Sequence, residues 1–192
     1  MSLVAIVYHS GYGHTAKQAE AVARGALNVA GATAALVKVE EIDRHWADLE
    51  KADAIIFGSP TYMGSASAPF KAFMDASSKV WAAQGWRNKI AAGFTNSSSQ
   101  SGDKLATLQQ LAIFAAQHGM IWVGLGLLPG NNSSSGSVDD LNRLGGFLGA
   151  MAQSNADQGP DYGPTPADLK TAEHLGQRVA EAASRWRRAT AA

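Results

Sequence analysis

Short, mainly apolar runs alternate along the chain with longer stretches in which apolar residues recur every three or four positions. The runs are Leu3 to Tyr8 (LVAIVY), Ala34 to Val39, Ala54 to Gly58 (AIIFG), Lys89 to Phe94 and Met120 to Gly124 (MIWVG). Continuous apolarity over five or six residues predicts strands covered on both faces. Between the first two runs, Ala19, Val22, Ala23, Ala26 and Ala30 share one helical face, Lys17, Glu20 and Arg24 lie elsewhere, and Gly31 is a natural stop. A short helix is predicted over Trp46 to Lys51, and Pro69 opens another whose Phe70, Phe73, Met74 and Ser77 fall on one side. Lys104 to Gln117 reads as a helix closed by His118-Gly119. The last helix has Thr165 as N-cap, Pro166 at its first position and Asp168 in its first turn, followed by a stripe of Leu169, Ala172, Leu175, Val179, Ala182 and Trp186.

Five strands alternating with helices predict an α/β architecture: a three-layer sandwich in which helices cover both faces of a five-stranded parallel sheet. One stretch breaks the pattern. From residue 125 to about 162 the chain is rich in Gly, Asn and Ser with weak periodicity, too long for an idle connection. It is read as an insertion after the start of the fifth strand, within a single domain spanning residues 1–192.

Three strand-end loops are small, polar and rich in hydroxyls: Ser10 to Thr15, Pro60 to Gly64, and Thr95 to Gly102. Parallel sheets bind ligands at the carboxyl ends of their strands, where the strand order reverses. In the order 2-1-3-4-5 the first, third and fourth strands are neighbours, so all three loops meet in one crevice. In the order 3-2-1-4-5-6 the third strand lies far from the fourth. The loop chemistry therefore predicts the first order.

The first loop, HSGYGHTA, runs from His9 to Ala16 and fits G-x-G-x-x-A, a fingerprint of dinucleotide sites. Its hydroxyls, Ser10 and Thr15, also suit a terminal phosphate held by backbone N–H groups at a helix start, where no Lys or Arg is required and none is present. A dinucleotide site would use an acidic residue after the second strand, and Glu40 and Glu41 offer one.

Charge and composition narrow the choice. Sixteen Lys and Arg balance sixteen Asp and Glu, so no overall field draws the chain to nucleic acid or an anionic membrane. The absence of cysteine excludes disulfides, thiolate nucleophiles and cysteine-held iron–sulfur clusters, leaving redox chemistry to a cofactor. His9, His45 and His174 have no ligand spacing, so no metal is expected. No G-x-S-x-G elbow offers a hydrolase nucleophile. The N-terminus lacks a secretory pattern and no apolar run could span a bilayer, which predicts a cytoplasmic protein.

Four segments are specific in combination: VYHSGYGHT, IIFGSPTYMGSASAPFKAFMD, the tryptophan of SKVW and the AQHGM segment. On these, nearly the whole chain resembles the flavodoxin-like NAD(P)H:quinone oxidoreductases, also called multimeric or tryptophan-repressor-binding-protein-type flavodoxins. The resemblance implies that Ser10, Gly11, Tyr12, Gly13, His14 and Thr15 wrap the FMN phosphate, and that Pro60, Thr61, Tyr62, Met63 and Gly64 border the isoalloxazine ring. Thr95, Asn96, Ser97, Ser98, Ser99 and Gln100 would bond its polar edge, with His118 near the pyrimidine end. Tyr12 and Trp81 would line the nicotinamide or quinone pocket. The implied activity is ping-pong hydride transfer from NAD(P)H through bound FMN to a quinone, in a homo-oligomer, a dimer or tetramer. Two departures stand out: the glycine- and threonine-rich loop of relatives is here TNSSSQS, and an arginine of their ring loop is here Tyr62. A flavodoxin-type electron carrier, a flavin-free NAD(P)-binding domain and a scaffold domain are the rival readings.

Overall fold

The computed structural model describes residues 1–190. Its parallel sheet is built from β1 (Ser2–Tyr8), β2 (Ala32–Lys38), β3 (Ala54–Tyr62), β5 (Ile90–Ser97), β6 (Ile121–Trp122) and β7 (Ala150–Gln153), while the two-residue β4 (Ser65–Ala66) pairs antiparallel with β3. The order is β2-β1-β3-β5-β6, with β7 also on β5. The predicted order 2-1-3-4-5 is thus borne out, with the fifth lane shared by two short strands. β6 pairs with Ile90 and Ala91, and β7 takes up the same edge from Phe94 to Ser97.

That division corrects one expectation. The chain leaves the sheet after Trp122 and re-enters it at Ala150, inside the stretch read as an insertion to about residue 162. The neck of this detour is tied by Leu125 N–H to the Phe147 carbonyl (2.9 Å) and by the Trp122 indole to the Leu148 carbonyl (2.9 Å). Two strands also run further than their apolar cores. Ser59 and Pro60 stay in register with Thr95 and Asn96, so the beginnings of two predicted loops are strand.

Strand side chains alternate between two buried clusters. Val4, Ile6 and Tyr8 face one side with α1 (His14–Leu27) and α6 (Pro166–Thr190); Ala5 and Val7 face the other with α3 (Ala68–Ala76) and α5 (Lys104–Gln117). The second cluster is aromatic: Phe57, Phe70, Phe73, Trp86 and Phe114 contact one another at centroid separations of 5.2–6.4 Å. Two short helices complete the set, α2 (Trp46–Lys51) and α4 (Ser78–Ala82). Thr165 caps α6 as expected, accepting the Asp168 N–H at 3.3 Å.

Where α1 crosses α6 the backbones touch. A Cβ on Gly25 would lie 1.8 Å from the Glu173 carbonyl oxygen, and one on Gly176 would lie 1.9 Å from that of Val22. The two glycines set how closely α1 is held against the body of the protein, and with it the loop at its N-terminus.

Candidate functional site

The loop between β1 and α1 turns sharply at Gly13, whose φ of 91° is left-handed and favours glycine. A Cβ there would also stand 2.7 Å from the Pro160 ring. The Ser10 hydroxyl reaches across the turn to accept the Ala16 N–H at 3.1 Å, and Thr15 is buried. Among the described residues, nothing accepts a hydrogen bond from the amides of Tyr12, Gly13, His14 or Thr15. These amides lie at the positive end of a helix dipole, an arrangement suited to an anion. His14 Nε2 is buried and unpartnered beside them.

A cavity of about 380 Å³ opens from this loop over the ends of β3 and β5. Tyr12, His14, Thr15, Pro60, Thr61, Tyr62, Asn96, Ser97 and Ser98 line it from the three predicted loops. Its remaining wall runs from Ser154 to Gly159, directly after β7. Sequence reasoning missed this wall, because the four-residue strand preceding it lies in a Gly- and Ser-rich stretch without periodicity. The signal that could have found it is the short, mainly apolar AMAQ followed by Ser154-Asn155, a small residue and an amide that also close β5 as Asn96-Ser97.

Polar contacts fix the walls. Thr61 Oγ1 lies 2.7 Å from Thr95 Oγ1 and donates to Thr107 Oγ1 at 2.8 Å. Ser154 Oγ donates to Asn96 Oδ1 (3.0 Å), and its N–H donates to the Ser97 carbonyl (3.1 Å). Tyr12 and Tyr62 meet edge to face at 6.2 Å across the mouth. Burial, then the neighbouring Tyr12, raises the Tyr62 hydroxyl above its ordinary value, so it stays a protonated donor.

The structure divides the remaining predicted residues among other places. Met63 projects fully into solvent, and with Trp81 and His118 it borders a second groove, about 1080 Å³, between α3, α4 and α5. Tyr62 lines both the cavity and the groove. His118 is 2% exposed, stacks on Trp86 at 4.4 Å, and shares a 2.9 Å hydrogen bond between Nε2 and Ser77 Oγ. Burial pushes its pKa down to about 4, so the ring is neutral. The cavity is lined without His118. Ser99 turns its carbonyl inward to Lys104, and Gln100 borders a separate surface depression with Arg143. Gly64 lies in the β3–β4 turn with φ 75° and open space where a Cβ would stand.

The family pattern of NADPH-dependent FMN reductases matches residues 20–133. An NAD(P)H dehydrogenase (quinone) from Archaeoglobus fulgidus is 33% identical over 96% of this chain and 99% of its own. The chain belongs to this family of oxidoreductases. Flavodoxin FldP of Pseudomonas aeruginosa is 44% identical, covering 94% of this chain and 96% of that protein. The crystal structure of a WrbA-like flavodoxin from Agrobacterium tumefaciens, also 44% identical, superposes with a TM-score of 0.75 over 96% of this chain and 99% of that one. FMN-binding, NAD(P)H-dependent members thus share this flavodoxin-like fold. Among the described residues no helix is long and apolar enough to cross a membrane.

Proposed function

We propose that the chain binds FMN in the cavity over β1, β3 and β5 and carries two electrons from NAD(P)H to a quinone-type acceptor. The observation that supports this most is the group of amides from Tyr12 to Thr15, which point no bond at the protein and sit at the start of a 14-residue helix. They suit a phosphate monoester, with the Thr15 side chain and the unpartnered His14 Nε2 beside it. Pro60, Thr61 and Tyr62 would border the ring, while Asn96, Ser97 and Ser98 supply hydrogen-bonding groups for its polar edge.

When bound, FMN would supply the two-electron redox chemistry between nucleotide and acceptor. The residues contribute position and exclusion of water. Tyr12 and Tyr62 close the mouth, and the Thr95–Thr61–Thr107 chain keeps the β3 and β5 ends at fixed spacing. Tyr62 joins the cavity to the apolar groove with Trp81, which gives a flat nicotinamide or quinone somewhere to lie. Met63, Trp81 and Ile113 are exposed apolar residues on that groove, which supports a homo-oligomer, a dimer or tetramer. The cytoplasm is the proposed compartment.

The test is the visible spectrum of the purified protein after saturation with FMN and removal of free flavin, followed by anaerobic NADH and then benzoquinone. Retained flavin that bleaches with NADH and recovers with quinone is expected; protein that keeps no flavin sinks the reading. A second reading, an electron carrier without turnover of its own, is favoured by the 44% identity to a protein named flavodoxin. Bound flavin that NADH leaves oxidised would select it.

A further inference from the structure

Lys104 is the first residue of α5, a position where a lysine normally projects into water. Here it is 1% exposed, among the largest fully buried side chains of the protein. Its Nζ donates to Ser97 Oγ at 2.6 Å and to the Ser99 carbonyl at 2.8 Å, and the Ser97 hydroxyl itself donates to that carbonyl at 2.9 Å. The three groups form a closed triangle directly behind the cavity wall, because Ser97 is also a lining residue.

The backbone is bent to put it there. Gly102 and Asp103 both have φ 53°, and a Cβ on Gly102 would fall 2.2 Å from Ser97 Oγ. Glycine accepts that conformation freely; an aspartate holds it only where the surroundings over-determine it. Two consecutive left-handed residues thus turn the chain so that the helix begins with its cation pointing inward.

The charge has no direct counter-ion. Among the described residues no carboxylate forms an ion pair with Lys104. Asp168, the acidic group acting on it, is held bidentately by Arg143 at 2.8 and 2.7 Å and also accepts the Gln153 N–H at 2.9 Å. Asp168 and Arg143 act on Lys104 in opposite senses, and burial lowers its pKa to about 8. Near neutrality the ammonium is therefore a buried positive charge that meets the cavity wall through Ser97, while Lys104 also borders the surface depression shared by Gln100 and Arg143. A buried cation without its carboxylate is costly, and groups perturbed in this way are concentrated at functional sites.

We propose that Lys104 is a positioning residue for the flavin: it fixes the Ser97 hydroxyl at the cavity wall and supplies the positive charge that binds reduced, anionic flavin more tightly than oxidised flavin. This rests on the FMN reading above. A lysine that only stapled the loop would strengthen both redox states equally and leave the potential of the bound flavin unchanged.

The measurement is the midpoint potential of bound FMN, by anaerobic equilibration with a reference dye, together with the dissociation constant of oxidised FMN by fluorescence quenching. Lys104→Met removes charge and bonds at similar length, and Lys104→Gln keeps a donor without the charge; both are checked for native circular dichroism, and either folded variant carries the test. Reduced flavin is expected to lose on the order of tenfold more affinity than oxidised flavin in the variants, which lowers the potential by about 30 mV for a two-electron couple. Unchanged potential in a folded variant overturns the inference and leaves the FMN reading standing. Wild-type protein that takes up no FMN overturns both.

Discussion

The Thr61 hydroxyl lies 2.7 Å from that of Thr95, joining the carboxyl ends of β3 and β5 beneath the cavity. Since Thr61 gives its own proton to Thr107 at 2.8 Å, Thr95 is the donor to Thr61, and the three hydroxyls form a directed, buried chain. Thr61→Val keeps the shape and leaves two buried hydroxyls short of a partner. A stability loss of about 1–3 kcal/mol is expected, read from urea denaturation, with weaker FMN uptake by the same variant.

Gly13 carries the phosphate turn. Gly13→Ala places a side chain in a left-handed conformation and against Pro160 at 2.7 Å, so the amides of the turn must shift. FMN affinity is expected to fall about tenfold or more, a loss of one good charge-assisted hydrogen bond or its equivalent. Riboflavin, which has the ring and no phosphate, should lose much less. Titration of both ligands separates damage to the turn from damage to the ring site; equal losses would contradict the assignment of the turn to phosphate.

His118 makes stability depend on pH. Its folded value is about 4 against 6.5 in an ordinary environment, lowered by burial. Between those values the unfolded chain holds a proton that the folded chain lacks, so stability is complete above pH 6.5 and falls as the pH drops through 6.5 toward 4. The contribution at stake is about 2–3 kcal/mol. His118→Phe, which retains a ring against Trp86 and Phe114, should lose stability at pH 7 with the Ser77 bond but depend less on pH between 6.5 and 4.5. Urea midpoints at both pH values for the two proteins check this; parallel curves would show that other groups govern the acid limb.

At the α1–α6 crossing, Gly25→Ala and Gly176→Ala each set a methyl group within 2 Å of a carbonyl oxygen on the opposing helix. Relief requires the helices to part, at an expected cost of about 1–3 kcal/mol or more. Gly31→Ala is the comparison, since its φ of 78° is also left-handed but its surroundings are open. Thermal melts should rank the crossing variants well below it.

Strand order was legible from three hydroxyl-rich loops, because only one arrangement brings them together, and the sheet has that arrangement. Apolar runs located the strand centres but not their ends: Ser59-Pro60 and Thr95-Asn96 fall outside the apolar runs, yet they continue the ladder because each strand pairs with the other, and Ser97 continues it against Gln153 of β7. The Ser154 to Gly159 wall was hidden for a related reason. Its position is set by the pairing of Ala150–Gln153 with β5, a long-range contact that four residues of sequence do not announce. Lys104 and His118 show the limit for single side chains. The sequence places Lys104 at a helix start and His118 at its close, and only packing puts both in the interior.

The division of the fifth lane between β6 and β7 has a mechanical result. The chain departs and returns along one edge of β5, the Trp122–Leu148 and Leu125–Phe147 bonds clasp the two limbs together, and Asn142 to Thr171 and Arg143 to Asp168 tie the returning limb to α6, so that residues 128–141 form the outer part of the detour. Changes of length or sequence within residues 128–141 can be absorbed without sliding Ala150–Gln153 along β5, whereas Arg143 is coupled to that strand through Asp168 and the Gln153 N–H, so the outer surface is free to diversify while the cavity wall keeps its register.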